Sequence, residues 1–387
     1  MKHVSIIGGS MAGLSSAYHI KRLAKQQGED AEVTVYEGKP NLHKTCSGIV
    51  TSAFPEALHE GNVPFPKGLI SAKVSHVRIY SPNQQYLELD FKKPDLVFDR
   101  ERLNEYFAGK AEDEGCTIKR EHRFTGFGQG GKKVSIKDVR QQRTTDEMTD
   151  ILVGADGSLS PVAKAAGVYD QGGSKRRFFL AIKTLIKCRH DNAIEFYPYF
   201  KDFAWRNPVD EETLEVGVAT EAGDGITANA IFEKFSALFP EKQFSKEAAL
   251  IPIYNPKTKF FARANGMPVY MIGDSATHAK ATTGGSIVQI NEAAPILARH
   301  ALEGKEGTSH ENDVKKKIGR ELWVHLKMHE ALSRFSEKDW NRLVSAFQDP
   351  GLKEILAETP RDRPISLAMK LLARKPSLLL FGTKLFA

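Results

Sequence analysis

Three side chains capable of chemistry fall within the eight residues HKTCSGIV at 43–50: His43, Lys44 and Cys46, followed by the flexible pair Ser47-Gly48. Such a cluster fits a metal ligand set, half of a disulfide, a reactive thiol or a plain loop. The chain's three cysteines, Cys46, Cys116 and Cys188, lie far apart with no Cys-x-x-Cys pair, which argues against a zinc site and against a disulfide framework. No metal is therefore expected, and the thiol and loop readings stay open. A second set, Gly8-Gly9-Ser10-Met11-Ala12-Gly13, follows the G-x-G-x-x-G pattern with Ser10 at the middle glycine. Gly8 permits a tight turn and Gly13 a close helix–strand approach, while the backbone amides around Ser10 and Ala12 face a pyrophosphate. Glu37, twenty-odd residues on, can accept hydrogen bonds from the ribose hydroxyls of an adenosine.

The surrounding elements agree with that chemistry. HVSIIGG reads as a buried strand, SMAGLSSAYHIKRLAKQQG as a helix with Ala and Leu on its inner face, and AEVTVYE as a second strand. This is the opening unit of a doubly wound α/β sheet. DILVGADGSLSPVAKAAGV (150–168) repeats the theme, with a turn at Asp156-Gly157 before a short helix. PVYMIGDSATHAKATTGGSIVQINEAAPILARHAL (268–302) does so again, with a strand ending in Gly273-Asp274 and a long Ala-rich helix opened by Thr283-Gly284-Gly285. Two further strands that each end in a Gly/Asp turn are not expected of a simple NAD dehydrogenase.

At 387 residues the chain exceeds one ordinary core, so two or three domains are expected. Its 41% hydrophobic and 27% charged residues suit a soluble protein that folds. The apolar runs fall short of a membrane span and no leader pattern opens the chain, so a cytoplasmic protein is expected. The net charge of +7 is moderate and dispersed, and no nucleic-acid recognition motif accompanies it. Alternating segments such as AKVSHVRIYS and FFLAIKTLIKC predict a mostly antiparallel sheet, and the polar stretch 127–150 a surface hairpin. Beyond about Glu311 the chain is rich in helix formers and ends in an apolar stretch studded with Lys370, Arg374, Lys375 and Lys384.

The cradle at 8–13, Arg100 in VFDRERLNEYF, the Asp156-Gly157 pair and the Gly273-Asp274 pair occur in a telling order and spacing. On them the chain resembles the FAD-dependent oxidoreductases of the para-hydroxybenzoate hydroxylase fold, and within that group the geranylgeranyl reductase family. The resemblance covers about residues 1–310. It implies an α/β protein with a discontinuous Rossmann-like FAD-binding domain (1–70, 99–171 and 265–310). A mostly antiparallel-sheet substrate-binding domain (71–98 and 172–264) and a C-terminal helical region (311–387) would complete it.

The resemblance also implies roles. Asp274 would accept hydrogen bonds from the ribityl hydroxyls of FAD, and Arg100 would reach the cofactor. Asp156-Gly157 would lie near it on a reductant path. The helix opened by Gly284, Gly285 and Ser286 would aim its positive end at the pyrimidine edge of the flavin, favouring the charge of the reduced state. In similar reductases the loop after the ribose-binding strand carries a cysteine and passes close to the isoalloxazine. That makes Cys46 a candidate catalytic residue, with Ser47 beside it and Lys44 able to contact phosphate or depress the thiol pKa. His278 is a second candidate proton donor.

Geranylgeranyl reductases carry a Tyr-x-Trp-x-Phe-Pro signature that shapes the isoprenoid pocket, and here Phe203-Ala204-Trp205-Arg206-Asn207-Pro208 stands in its place. Tyr199, Phe203, Trp205 and Pro208 are accordingly expected to contact substrate. Departures from the family pattern are Ser275, Thr277, Ala281 in place of a proline, Ser286 in place of a glycine, and Asn207. The implied activity is saturation of carbon–carbon double bonds in an isoprenoid lipid, with NADPH or ferredoxin as electron donor, peripheral membrane contact and a monomeric state. An aromatic monooxygenase or halogenase on the same fold, or a non-catalytic flavin- and lipid-binding electron carrier, are the alternatives.

Overall fold

The computed structural model of the protein describes residues 1–170, 175–222, 228–239, 244–304 and 307–382. Strand Lys2–Ile7 runs into helix Met11–Gln27 and returns as strand Ala31–Glu37, pairing in parallel with Val4 opposite Val33. On its other side Lys2–Ile7 pairs in parallel with Ile151–Gly154, which in turn pairs with Met267–Met271. Thr117–Arg120 and Phe261–Ala264 form the edges of this six-stranded sheet, and only the second edge joins antiparallel. Val4, Ile6, Val33, Val35, Leu152 and Val153 are all buried, as a parallel sheet covered on both faces requires. Helix Met11–Gln27 packs against helices Arg100–Asp113 and Ile287–Glu303.

A second sheet has eight strands in the order Glu247–Pro252, Phe178–Lys187, Thr213–Glu221, Phe203–Asp210, Ala193–Tyr197, Ile70–Tyr80, Tyr86–Phe98 and Ile49–Val50. Every neighbouring pair is antiparallel except Ala193–Tyr197 with Ile70–Tyr80. That parallel join brings together two chain segments separated by the nucleotide-type unit. The mixed α/β architecture with a mostly antiparallel second sheet is therefore as expected.

The polar stretch after residue 122 forms three antiparallel strands, His122–Phe127, Lys133–Asp138 and Arg143–Met148. From 307 to 382 the described residues hold helices and no strand. These helices have well-made starts. Ser336 and Asp339 exchange capping hydrogen bonds, and Asp349 accepts from the amides of Gly351 and Leu352. Helix Pro364–Arg374 turns Pro364 and Leu367 towards the interior cavity while Met369 stays exposed. Lys384 lies outside the described residues.

Candidate active site

The two sheets and the C-terminal helices line a cavity of about 790 Å³. Its floor is the turn after the first strand. Gly8 has φ +109°, and a Cβ there would stand 2.3 Å from Ala155 O; a Cβ on Gly13 would stand 1.9 Å from Gly8 O. Only glycine lets strand, turn and helix close this tightly. Ser10 caps helix Met11–Gln27 by position without a side-chain hydrogen bond, so the first-turn amides remain open to a ligand. Gly8, Ser10 and Ala12 line the cavity; Gly13 and Gly273 sit just behind it as packing residues, Gly273 against Ala12 and Ile290. Glu37 accepts from Gly9 N at 2.7 Å and from Lys39 N at 2.9 Å, which fixes its carboxylate at the end of its strand.

Arg100 starts helix Arg100–Asp113, whose N-cap Asp99 accepts from Arg102 N at 2.8 Å. The Arg100 guanidinium lines the cavity but is buried, and its Nε and Nη1 have no hydrogen-bond partner. A buried cation without a partner is costly unless an anion arrives. Together with the glycine turn and open amides, this fits the pyrophosphate of FAD. Asp274 lies 3.2 Å from Lys44 Nζ, so the structure pairs two of the side chains expected to meet the cofactor, and both line the cavity. Gly157, Gly284, Gly285 and Ser286 also line the cavity. Asp156 lines it too, but both its oxygens cap the helix Pro161–Ala165, accepting from Ser160 Oγ at 2.5 Å and Val162 N at 2.8 Å. Burial raises its pKa, against the effect of those donors.

Cys46 is exposed on the cavity wall, with Gly48 N 3.5 Å from its Sγ and Lys183 Nζ 3.1 Å from its carbonyl oxygen. Lys183 also bonds Glu215 Oε2 at 2.7 Å. Glu215, almost fully buried, further accepts from the Ser47 hydroxyl and from Trp205 Nε1 at 2.8 Å. Trp205 lies flat over Gly217, where a Cβ would come within 2.2 Å of its ring. Burial works against the Lys183 ammonium, but Glu215 and then Glu247 outweigh it and hold its pKa above the ordinary lysine value. Glu215 thus ties the Cys46 loop to the floor of the second sheet. Residue patterning carried the signal for both: each is a charged residue at an inward position of an otherwise apolar strand.

Three expectations need correction. On strand Phe203–Asp210 the inward residues are Phe203, Trp205 and Asn207, so Pro208 falls on the opposite face by the two-residue period of a strand. Tyr199 precedes that strand, packs against Tyr197 and Phe200 and receives a hydrogen bond from Gln84, away from the cavity. His278 is buried behind its loop, its ring 5.1 Å from that of Phe260. Burial, with Lys315 nearby, pushes its pKa down to about 3, so the ring is uncharged at neutral pH and is no imidazolium acid.

The C-terminal helices supply site residues that sequence reasoning missed. His325 and His329 on helix Arg320–Leu332 line the cavity, as do Lys280, Arg361 and Asp362. His325 Nδ1 is 2.8 Å from Thr282 Oγ1, and His329 is 3.9 Å from the buried Asp202. Among the described residues no cluster of His, Cys, Asp and Glu is suited to hold a metal ion, and no helix is long and apolar enough to cross a membrane.

A sequence profile of the FAD binding domain family matches residues 62–286. Digeranylgeranylglycerophospholipid reductase 2 of Methanopyrus kandleri is 20% identical, covering 99% of this chain and 98% of its own. Digeranylgeranylglycerophospholipid reductase 1 of Methanothermobacter thermautotrophicus is 23% identical with the same coverage. Among solved structures, a geranylgeranyl bacteriochlorophyll reductase-like protein from Thermoplasma acidophilum aligns over all of both chains with a TM-score of 0.81 at 17% identity. The flavin-dependent halogenase CmlS aligns with 98% of this chain and 78% of its own, at a TM-score of 0.69 and 15% identity. At such identities the structural likeness speaks for the fold.

Proposed function

The chain belongs to the FAD binding domain family, and from that premise we propose that it is an FAD-dependent reductase saturating carbon–carbon double bonds of a geranylgeranyl-type isoprenoid lipid. The observation that carries the reading is one continuous cavity. It runs from the Gly8–Gly13 turn and Arg100 to an apolar wall of Ile194, Phe203, Trp205, Leu356 and Leu367. Such a wall suits a long hydrocarbon chain, and the names of the archaeal relatives support the same class of substrate.

Bound and reduced, FAD supplies a hydride equivalent to one alkene carbon, and the alkene electron pair takes a proton at the other. The protein's own part is placement and dryness. Arg100 and the open amides of the first helix hold the diphosphate, and Asp274 with Lys44 holds the polar linker. Trp205, seated on Gly217 and pinned by Glu215, keeps the wall rigid and dry near Cys46. Cys46 is our candidate for proton delivery, since its thiol is exposed to the cavity and its loop is fastened by Lys183 and Glu215. NADPH or ferredoxin is the proposed source of electrons. Exposed Met369, Leu379 and Leu380 beside Lys370, Arg374 and Lys375 support peripheral membrane contact, which flotation with anionic vesicles tests.

Anaerobic mixing of dithionite-free, photoreduced protein with a geranylgeranyl lipid tests the function: the flavin absorbance should return as the lipid is reduced. The halogenase neighbour keeps an oxygen-dependent reaction as the second reading, and that reading requires oxygen for any turnover. A carrier without catalysis would leave the flavin reduced with every lipid.

A further inference from the structure

Three consecutive residues between helices Pro350–Glu358 and Pro364–Arg374 each bond a different part of the fold around the cavity, and Arg361 and Asp362 line it. Arg361 pairs with the buried Asp95 of strand Tyr86–Phe98. Arg363 donates to Glu292 Oε1 at 2.6 Å on helix Ile287–Glu303. Between them Asp362, 0% exposed, accepts from Lys280 Nζ at 2.6 Å, Gln289 Nε2 at 3.0 Å and Thr51 Oγ1 at 2.5 Å. Lys280 is itself buried and lines the cavity. Its Nζ lies 3.3 Å from where a Cβ on Gly285 would stand, directly under the turn that opens helix Ile287–Glu303.

A buried ion pair is not required for stability, because an apolar pair of similar volume commonly does as well. This pair instead stands where the positive end of a helix and a lysine both face the cavity that holds the flavin. A lone Lys280 ammonium there, added to the helix end, would strongly favour the anionic reduced flavin. Asp362 cancels that charge from the opposite end of the chain.

We propose that Asp362 is the counter-ion that sets the reduction potential of the bound flavin, so that the C-terminal helices tune the cofactor they cover. Asp362 is a positioning and electrostatic residue in this account and touches no substrate. The inference rests on the FAD assignment and not on the prenyl substrate, so it stands or falls separately from the proposed reaction.

The test is a spectroscopic redox titration of the full-length, FAD-loaded protein. Asp362→Asn keeps the shape and an Oδ1 acceptor for Lys280 and Gln289, with the Thr51 hydroxyl turning to accept from the new amide, but leaves the Lys280 charge uncompensated. It should favour reduced over oxidised flavin at least about tenfold, a rise of ~30 mV for a two-electron couple. Lys280→Met should shift the potential the opposite way, and the double variant Lys280→Met/Asp362→Leu should return it to near wild type. Potentials unchanged in both single variants overturn the proposal. If Asp362→Asn does not fold, Lys280→Met carries the test alone, and failure of both to fold while the double variant keeps a shifted potential also overturns it.

Discussion

Trp205 donates its indole N–H to Glu215 Oε1 at 2.8 Å, and through Glu215 it is joined to Ser47 and Lys183 on two other elements. The apolar wall and the Cys46 loop are therefore set by one buried carboxylate. Any change at Glu215 is felt on both sides of the cavity.

Glu215→Ala should destabilise the protein by about 3–5 kcal/mol, since it leaves the largely buried Lys183 without its main partner. Trp205→Phe, which removes only one of the three donors to Glu215, should be milder, about 1–3 kcal/mol. Urea midpoints of the two variants, measured side by side, check the order. Equal losses would mean that the carboxylate does not organise the network.

Arg100→Ala should weaken FAD binding by roughly 10- to 100-fold, the loss of one charge-assisted contact to phosphate. The apo protein should be no less stable, because Arg100 Nε and Nη1 have no partner to lose. Fluorescence titration of FAD and thermal melting of the apo form separate the two effects.

What could be read from the sequence was the local chemistry. Gly8, Gly13 and Glu37 announce themselves because strand, turn, helix and acid follow one another within one unit, and Asp274 ends a strand of the same kind, whereas Arg100 stood out only through the family resemblance. Trp205 was legible as an aromatic near the pocket, but Pro208 was misplaced because strand faces were not assigned by alternation from Trp205. His278 was misplaced because the direction of a loop side chain depends on packing, here by Phe260 on a separate segment, which itself packs on His310. Asp362 was invisible: it meets Lys280 across 82 residues, and nothing local in TPRDRP marks it as part of the cavity wall.

Acid should destabilise the fold through its buried histidines. Burial, the largest influence on each, pushes His19, His278, His310 and His325 down to about 3 from 6.5. Below 6.5 the unfolded chain takes up these protons and the folded chain does not, until about pH 3. Their contribution to stability is therefore intact above pH 6.5 and is lost progressively as pH falls towards 3, at ~1.4 kcal/mol per pH unit for each ring. His310 packs among Phe260, Tyr270 and His300, with His278 and Asp313 close by. His310→Phe should reduce the drop in unfolding free energy between pH 7.5 and 5 by ~2 kcal/mol relative to wild type. An unchanged drop would show that this ring is not held neutral.

Cys46→Ala should lower turnover of a prenyl substrate by about 100-fold or more, the scale of a lost general acid, while FAD binding stays the same. Its side chain is exposed on the cavity wall and supports no core packing, so a stability change is not expected. Wild-type turnover in Cys46→Ala would assign proton delivery to another group.

The most direct measurement is the mass of the product formed when reduced protein and a geranylgeranyl lipid are incubated without oxygen. The account predicts a lipid heavier by whole pairs of hydrogen atoms, formed in proportion to the reduced flavin consumed. An unchanged lipid under these conditions, together with oxygen-dependent hydroxylation or halogenation of an aromatic compound by the same protein, would contradict it.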